Sequence, residues 1–342
     1  MAAVRTRRTE AGRLRELISG VRPKLVKAPQ PEWIEPMLAT LVDKPFSREG
    51  WIFEPKFDGI RCLVFRRGGT IRLLSRNQNI LNEKYPELVR AFKLQPTMSF
   101  IVDGEIVAYE GSVTRFSRLQ QRMQSNPSEA LQKSIPVYFC AFDVLYLKEF
   151  DVRQVPLQLR KEMLRSGFQF NDPLRHTEHR ETNGEDYYHE ACEGGMEGLV
   201  AKKADSAYLS RRSPAWLKFK CVNDQEFVIG GYTDPQGHRR GFGALLLGYY
   251  RRGKLVFAGK VGTGYDAATL RSLAKQLAAM ETQECPFADP GTAGRSAHWV
   301  KPKLVAQVGF TEWTSDGKLR HPRFLGLRDD KEPAKVVREN VP

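Results

Sequence analysis

The chain has 342 residues, of which 41% are hydrophobic and 27% are charged, a composition typical of a globular protein of about two domains. No apolar run approaches the roughly 18 residues that cross a membrane, so we expect neither a membrane span nor a secretory signal. The 54 Lys and Arg residues outnumber the 40 Asp and Glu residues, which gives a formal net charge of +14. This excess favours a polyanionic partner, above all nucleic acid.

The cysteines are scattered along the chain, and none belongs to a C-x-x-C pair. They are Cys62, Cys140, Cys192, Cys221 and Cys285. An odd number with this spacing predicts neither a disulfide framework nor a zinc site. The cysteine pattern therefore favours a reducing, cytoplasmic location.

Residues 1–35 are predicted to form a basic arm or linker. A short helix is expected around Arg13 to Ser19, and Pro23, Pro29 and Pro31 follow it. Prolines at this spacing disfavour regular structure, so the segment is not expected to form a domain of its own.

Residues 36–221 combine strand-like alternation of apolar residues with helical patterns. Strands are predicted at Ile60–Phe65, Ile71–Ser75, Phe100–Tyr109 and Val137–Tyr146, and helices near Tyr85–Phe92, Ser117–Gln124 and Gly184–Glu193. Strands that return through short polar turns, with helices between them, predict an α+β domain with antiparallel sheets.

Residues 222–342 follow a different pattern. Strands are predicted at Phe227–Tyr232, Ala244–Tyr250 and Leu255–Val261, then a helix at Ala267–Met280, and then strands at Leu304–Trp313 and near Phe324. Three short strands, a helix and two more strands are typical of a small β-barrel of the oligonucleotide-binding (OB) fold.

A lysine in the run from Glu54 to Arg61, which reads EPKFDGIR, is the first candidate for chemistry. Lys56 lies where an apolar segment turns, and its amine would be a nucleophile once deprotonated. Arg61 is a neighbouring cation that would lower the pKa of this amine. The alternative is that Lys56 is a solvated turn residue, because a short motif needs its context.

Charged residues recur at the ends of the predicted strands farther along the chain. They lie in Ser75-Arg76, Asp103-Gly104-Glu105, Phe142-Asp143, Glu197–Lys203 and Trp216–Lys220. Each segment alone is also compatible with ordinary charge at a strand end. Together they supply a nucleophile, a carboxylate for a hard cation, several phosphate-binding cations and an aromatic ring. Phosphoryl or nucleotidyl transfer needs that combination.

Taken in order, and together with Arg328-Asp329-Asp330-Lys331, these segments resemble the six-motif pattern of the covalent nucleotidyltransferases. Within that superfamily the chain resembles the ATP-dependent DNA ligases. Residues 36–39 and 226–232 are most similar to the ligase domain of the bacterial end-joining ligase. The resemblance implies an α+β nucleotidyltransferase domain followed by an OB-fold domain.

The resemblance also implies the reaction. Lys56 would attack the α-phosphate of ATP and retain AMP, which would pass to the 5′-phosphate of a DNA break before the 3′-hydroxyl seals the strand. Glu54 would read the adenine with its backbone, Phe142 would stack on the base and Glu105 would hold the ribose. Arg61 and Arg76 would bind phosphate or ribose.

Further roles follow from the same resemblance. Arg212, Lys218 and Lys220 would bind the AMP phosphate, and Glu197 would ligate Mg²⁺ or Mn²⁺. Arg328 and Lys331 would hold pyrophosphate from the second domain, which implies that the barrel closes for the first step and opens afterwards.

The implied partner is duplex DNA with nicks or breaks, and end-joining repair proteins are candidate partners. The resemblance also implies that the protein is a monomer and that it associates with the bacterial nucleoid through DNA. Two alternatives stay open. An RNA ligase or a capping-type guanylyltransferase would share the lysine motif, and a non-catalytic module would use the barrel to hold nucleic acid.

Overall fold

The computed structural model describes residues 12, 14, 16–20, 25–221, 223–235, 241–293 and 297–339. The described residues up to Cys221 form one unit, and those from Asn223 onwards form a second unit. Among the described helices, none is long and apolar enough to span a membrane.

A large sheet is the centre of the first unit. Its strands are β1 (Val26–Lys27), β4 (Ile60–Arg67), β5 (Thr70–Ser75), β6 (Ser99–Glu110), β7 (Val113–Thr114), β8 (Val137–Leu147), β9 (Phe150–Asp151) and β10 (Leu174–His176). They run in the order β1-β9-β8-β6-β4-β5, with β7 paired to β6 and β10 added parallel to β8. The other pairings are antiparallel, as the sequence predicts.

A smaller sheet carries several of the motifs identified in the sequence. Its strands are β2 (Leu38–Leu41), β3 (Trp51–Pro55), β11 (Gly198–Lys203) and β12 (Arg212–Lys220), in the order β2-β12-β11-β3. On one face of this sheet, Phe53 and Phe219 pack with Ala191 of a helix in a buried apolar cluster. This packing fixes one face of the sheet and leaves the other face to carry polar side chains, because residues alternate along a strand.

The helices of the first unit are α1 (Pro86–Lys93), α2 (Phe116–Gln120), α3 (Glu129–Ser134), α4 (Leu157–Gly167) and α5 (Gly184–Glu193). Helix α5 has its predicted bounds, α1 is shifted by one residue, and α2 ends four residues earlier than expected. Helix α4 escaped the sequence analysis because it buries Arg160 and Lys161 beside its apolar residues, which breaks the amphipathic pattern.

The N-terminal segment is more closely attached to the first unit than an arm would be. Residues 16–20 are helical, and Leu14 is buried in the main core, whereas Arg13 lies outside the described residues. Strand β1 pairs with β9, and the Gln30 amide donates to the carbonyl oxygens of Arg66 and Phe100. Residues 25–30 therefore extend the edge of the large sheet.

The second unit has the predicted order of strands and helix. It contains β13 (Asn223–Thr233), β14 (Leu245–Arg251), β15 (Lys254–Val261), helix α6 (Ala267–Ala278), β16 (Glu281–Thr282), β17 (Ala297–Phe310), β18 (Glu312–Trp313), β19 (Leu319–Arg320) and β20 (Arg323–Leu327), with 3₁₀ turns at Gly291–Ala293 and Pro333–Lys335. The main sheet runs β15-β14-β13-β17-β16, and β20 pairs with β17. The OB-type fold is confirmed, and its apolar core includes Phe227, Leu246 and Leu273.

The cysteines differ from the sequence-based expectation. Cys192 and Cys221 form a disulfide bond, while Cys62, Cys140 and Cys285 are free. The bonded residues are 29 positions apart, but the packing of α5 beside the end of β12 brings their Cα atoms to 5.2 Å. The expectation that no disulfide forms was therefore wrong, because sequence spacing carries no information about this tertiary contact.

The buried ion pair between Arg160 and Asp143 gives a prediction for stability. Both side chains are fully buried, at 0% exposure, and two hydrogen bonds of 2.8 Å join them. We expect Arg160→Met to lower the free energy of unfolding of the first unit by about 3–5 kcal/mol, because it leaves a buried carboxylate without its cation. Urea unfolding monitored by Trp fluorescence measures the change.

The control is Lys27→Met, which removes an ion pair whose members, Lys27 and Glu149, are 71% and 53% exposed. Exposed pairs of this kind contribute little to stability. Equal unfolding midpoints for the two variants would show that the Asp143 carboxylate does not depend on Arg160.

Candidate active site

The candidate nucleophile lies at the end of an edge strand. Lys56 follows β3 directly, and its backbone N–H donates to the Gly198 carbonyl oxygen at 2.9 Å. Gly198 has a φ of +147°, and a Cβ atom there would overlap the Phe219 carbonyl oxygen. Only glycine fits at this position, so the close approach of β11 to its neighbours depends on it.

The side chain of Lys56 contacts a carboxylate. Its Nζ lies against Oε1 of Glu197, the residue that precedes β11, and the two side chains are 18% and 15% exposed. The pair is thus sheltered but still reachable from solvent. The contact is an ion pair between the lysine amine and the carboxylate.

The next segment fixes the turn after the lysine. The Asp58 carboxylate accepts from the backbone N–H of Phe116, and the Asp58 N–H donates to the Thr114 hydroxyl at 3.0 Å. A Cβ atom at Gly59 would overlap the Ile106 carbonyl oxygen. The K-x-D-G motif is therefore a rigid turn anchored to the large sheet, and it is not a solvated loop.

Strand β12 supplies cations beside β11. Lys220 lies opposite Gly198, and Lys218 lies opposite Val200 in the antiparallel register. Being two residues apart, both side chains share one face of the strand. Arg212 begins β12, is exposed, and donates to the Ala39 carbonyl oxygen. The register thus places Lys56, at the end of β3, and Lys218 and Lys220, on β12, on either side of β11.

The large sheet contributes a second set of residues. Arg61 of β4 lies opposite Glu105 of β6 in the ladder, and Nε and Nη2 of Arg61 each donate to the buried Asp103 carboxylate at 2.5 Å. The Tyr208 hydroxyl also donates to this carboxylate, at 2.7 Å. Burial opposes the charge of Arg61, but Asp103 outweighs burial and raises the pKa of the guanidinium.

Two cations contact the aromatic ring of Phe142. The Cζ atom of Arg61 is 4.5 Å from the ring centroid, and Nζ of Lys202 is 4.3 Å from it. Phe142 is 7% exposed and packs with Trp216, which is also buried. Cation–π contacts of this kind hold the ring in a fixed orientation.

Buried lysines surround Glu54, and the sequence analysis gave them no role. Oε1 of Glu54 accepts from Lys161 and Oε2 accepts from Lys202, each at 2.5 Å, and the three side chains are 2–3% exposed. Burial raises the pKa of Glu54, but the two lysines outweigh it and lower that pKa. Burial and the charge of Lys161 lower the pKa of Lys202 to about 8, although Glu54 opposes this.

Lys202 could have been identified from the sequence, because it ends the motif that begins at Glu197. Lys161 gave no such signal, since it lies in the helix that the sequence did not reveal. The two lysines hold the Glu54 carboxylate in place. Since Glu54 is only two residues before Lys56, they also fix the strand that leads to the candidate nucleophile.

Three predicted site residues belong to other elements of the chain. Arg76 is at the tip of a tight turn after β5, which is closed by a hydrogen bond of 2.9 Å from the Ser75 N–H to the Asn79 carbonyl oxygen. Arg328 and Lys331 belong to the second unit. Arg328 makes a bidentate pair with Asp330 at 2.8 and 2.9 Å, and Lys331 pairs with Glu226 at 2.8 Å.

Two family models match the chain. The description "ATP dependent DNA ligase domain" applies to residues 36–220, more than half of the chain, and "ATP dependent DNA ligase C terminal region" applies to residues 238–331. The first match covers the sheets that hold Lys56 and Glu197, and the second covers most of the OB-type unit.

Curated relatives are similar along most of this chain. The multifunctional non-homologous end joining protein LigD of Pseudomonas aeruginosa is 37% identical over 321 residues, which are 92% of this chain and 37% of that protein. The corresponding protein of Mycobacterium tuberculosis is 37% identical over 312 residues, 90% of this chain and 40% of its own length. The chain thus spans about two fifths of these relatives.

A solved structure is also similar. The mycobacterial DNA ligase D complexed with ATP and MES is 35% identical to this chain, with a TM-score of 0.60. The match covers 88% of this chain and 98% of that structure's chain. The match extends over both units of the fold.

The shifted pKa of Lys202 predicts how stability changes with pH. A lysine near 10.5 when unfolded and near 8 when folded binds fewer protons in the folded chain between these values. Stability therefore rises with pH in that window, and below it the contribution of this group to stability no longer changes with pH. We expect the stability of the wild type, relative to Lys202→Met, to increase between pH 8 and 10 by at most about 3 kcal/mol.

Urea unfolding of both proteins at a series of pH values measures this difference, and the comparison cancels groups that the two proteins share. A difference that stayed constant or fell over this range would show that Lys202 is not the group that titrates.

Proposed function

Because the chain belongs to the ATP-dependent DNA ligase family, we propose that it seals a 5′-phosphate to a 3′-hydroxyl in duplex DNA through AMP held covalently on Lys56. The contact between Lys56 Nζ and the Glu197 carboxylate carries this proposal. Lysine is the residue of the K-x-D-G motif whose amine can form a phosphoramidate. The contact places this amine beside a carboxylate that is suited to a hard cation.

The first step forms the lysyl adenylate. The amine of Lys56, once deprotonated, attacks the α-phosphorus of ATP, a nitrogen–phosphorus bond forms, and the bond to the bridging oxygen breaks to release pyrophosphate. Lys218 and Lys220, on one face of β12, neutralise charge on the α-phosphate. Arg212 assists from the start of the same strand.

The base and sugar are held by residues of both sheets. The Phe142 ring, fixed by its cation contacts, stacks on the adenine, and the backbone beside Glu54 reads the edge of the base. Since the Glu54 carboxylate is occupied by two lysines, its side chain serves to fix the strand. Glu105 binds the ribose. Arg61, tied to Asp103, shapes the pocket and contributes positive charge.

A divalent cation fits this site. Among the described residues no group of three or more His, Cys, Asp or Glu side chains could enclose a metal ion. Mg²⁺ does not need such a cage, because it is commonly held by one or two carboxylates together with water and phosphate oxygens. Glu197 is the carboxylate that would hold Mg²⁺ or Mn²⁺, and the ion would neutralise charge on the phosphates.

The remaining steps transfer AMP and seal the strand. A 5′-phosphate oxygen attacks the AMP phosphorus and displaces Lys56, and the 3′-hydroxyl then attacks the 5′-phosphorus and displaces AMP. Arg76 is suited to the 5′-phosphate of the break. Arg328 and Lys331 act on the pyrophosphate of the first step.

The relatives named for non-homologous end joining support end joining as the setting, with DNA breaks as substrates and end-joining proteins as candidate partners. The family match favours this activity over an RNA ligase or capping guanylyltransferase. The sheltered pairing of Lys56 with Glu197 favours it over a non-catalytic module, since binding alone does not require that arrangement.

We expect Lys56→Ala to abolish covalent labelling by radiolabelled ATP, and Lys56→Arg to do so nearly as completely, because arginine stays charged and cannot act as the free-base nucleophile. The label is read on a denaturing gel. Lys93→Ala, an exposed lysine at the end of α1, is the control and should label normally. Labelling of Lys56→Ala at a wild-type rate would exclude Lys56 as the nucleophile.

The division of roles between steps is tested by removing Arg328 and Lys331 together. The double alanine variant should lose lysyl adenylate formation but still seal a nick that already carries AMP at its 5′ end, because that step releases no pyrophosphate. Glu197→Ala should impair both reactions, and Lys335→Ala is the exposed control. Equal loss of both reactions in a folded double variant would contradict a role confined to the first step.

A further inference from the structure

The motif Arg328–Lys331 lies in a loop of the second unit, between β20 and the 3₁₀ turn at Pro333–Lys335. The chain before the motif is anchored, because β20 pairs with β17 and the Arg328 N–H donates to the Val305 carbonyl oxygen at 2.8 Å. A second anchor follows the motif. None of the ligation roles described above uses this second anchor.

Residues 336–339, which we call the tail, are seated on the second unit. Val336 is 6% exposed and belongs to the apolar core of that unit, and its carbonyl oxygen accepts from the Tyr250 N–H at 2.7 Å. The guanidinium carbon of Arg338 lies 4.2 Å from the centroid of the Trp313 ring. Apolar burial, a backbone hydrogen bond and a cation–π contact thus attach the tail to β14 and β18.

A buried glutamine of β13 holds the end of the tail. The Gln225 side chain is 2% exposed. Its Oε1 accepts from the Glu339 N–H at 2.8 Å, and its Nε2 donates to the Val337 carbonyl oxygen at 3.1 Å. The acceptor and the donor of one side-chain amide therefore both bond to the tail backbone. Since Val337 is 56% exposed, these hydrogen bonds, and not burial of its side chain, fix this part of the tail.

The next residue of β13 contacts the motif itself. Glu226 pairs with Lys331 at 2.8 Å, and the two side chains are 23% and 20% exposed. Successive residues of a strand point to opposite faces. Strand β13 therefore holds the chain at two points, because Glu226 on one face contacts the motif and Gln225 on the other face contacts the tail.

The segment between the motif and the tail is short and has hydrogen bonds of its own. The Lys335 N–H donates to the Glu332 carbonyl oxygen at 3.0 Å. The Val336 N–H donates to the Pro333 carbonyl oxygen, also at 3.0 Å. Hydrogen bonds over three residues make a tight turn, and the proline ring restricts it further. A displacement of the tail is therefore expected to displace Lys331 as well.

We propose that Gln225 is a positioning residue for the step that releases pyrophosphate, and that it acts through the tail. By holding the tail, Gln225 fixes the position from which Arg328 and Lys331 bind pyrophosphate. Displacement of such groups by about 1 Å can lower a rate severely. The inference rests on the role proposed above for Arg328 and Lys331, and it adds the residue that holds them in place.

The first experiment tests the physical connection without the reaction. Gln225→Met keeps an unbranched side chain of similar length and removes both hydrogen bonds to the tail. Gln276→Met, the same substitution at a glutamine on the surface of α6, is the matched control. Hydrogen–deuterium exchange of the full chain, read by mass spectrometry, should be about tenfold faster or more over residues 328–335 in Gln225→Met. Gln276→Met should exchange as the wild type does.

The second experiment separates the pyrophosphate step from sealing. Lysyl adenylate, formed with ATP and Mg²⁺ and then freed of ATP, is mixed with pyrophosphate. A pyrophosphate oxygen attacks the AMP phosphorus, the bond to Lys56 breaks, and ATP and the lysine amine are regenerated. Gln225→Met should need about tenfold more pyrophosphate for half-maximal reversal. It should seal a nick that already carries AMP at a rate within about twofold of the wild type, since that step involves no pyrophosphate.

A truncated chain tests whether Gln225 acts through the tail. A chain that ends at Val337 lacks Arg338 and Glu339, and it should show a similar rise in the pyrophosphate requirement. Adding Gln225→Met to this chain should raise the requirement by less than about twofold more, because two changes that act on one contact are not additive. Urea unfolding midpoints show which variants are folded. If the truncated chain is not, exchange and reversal in Gln225→Met decide.

The proposal is overturned if Gln225→Met exchanges at the wild-type rate over residues 328–335, or if reversal and sealing decline equally in the folded variant. Additive effects of the truncation and of Gln225→Met would overturn it as well. A wild type that forms no ATP-labelled lysyl adenylate would instead contradict the proposed function, and the exchange result would then decide alone whether Gln225 holds the motif.

Discussion

The catalytic arrangement depends on the position of β11 between β3 and β12. One hydrogen bond, from the Lys56 N–H to the Gly198 carbonyl oxygen, joins the nucleophile to the strand that follows Glu197. The opposite edge of the same strand sets Lys220 across from Gly198. A shift of one residue in this register would turn the cations of β12 to the other face, because side chains alternate along a strand. The backbone ladder therefore determines which cations share the face of the sheet on which we propose that the α-phosphate binds.

Buried charge fixes what the ladder aligns. Glu54 accepts from two lysines, and one of them, Lys202, also lies 4.2 Å from the Trp216 ring and 4.3 Å from the Phe142 ring. The contact with Phe142 joins the smaller sheet, which carries Lys202 and Trp216, to the large sheet. Ion pairs buried this deeply generally contribute little net stability to the fold. Their value here is positional, since the strand that they hold ends at the nucleophile.

The sequence predicted the elements that have a strong local pattern, but not the contacts that are purely tertiary. Alternation and motif order identified the long strands, helix α5, the OB-type unit and the family. Lys161 was missed because a buried charged residue weakens the helical pattern around it. The Cys192–Cys221 bond and the ion pair that occupies Arg61 were also missed, since both join residues that only packing brings together. The described structure thus adds the partners of motif residues such as Glu54, Asp58 and Arg61, which local sequence does not encode.

The segment from His176 to His179 is joined to the strand that precedes Lys56. The Thr177 carbonyl oxygen and the Glu54 carboxylate share one lysine, Lys161, whose amine donates to both. The position of Thr177 is therefore coupled to that of Glu54, two residues before Lys56. Coupling of this kind needs only a contiguous chain of hydrogen bonds and packed strands. Lys161, which together with burial lowers the pKa of both histidines, thus also anchors the strand that precedes Lys56.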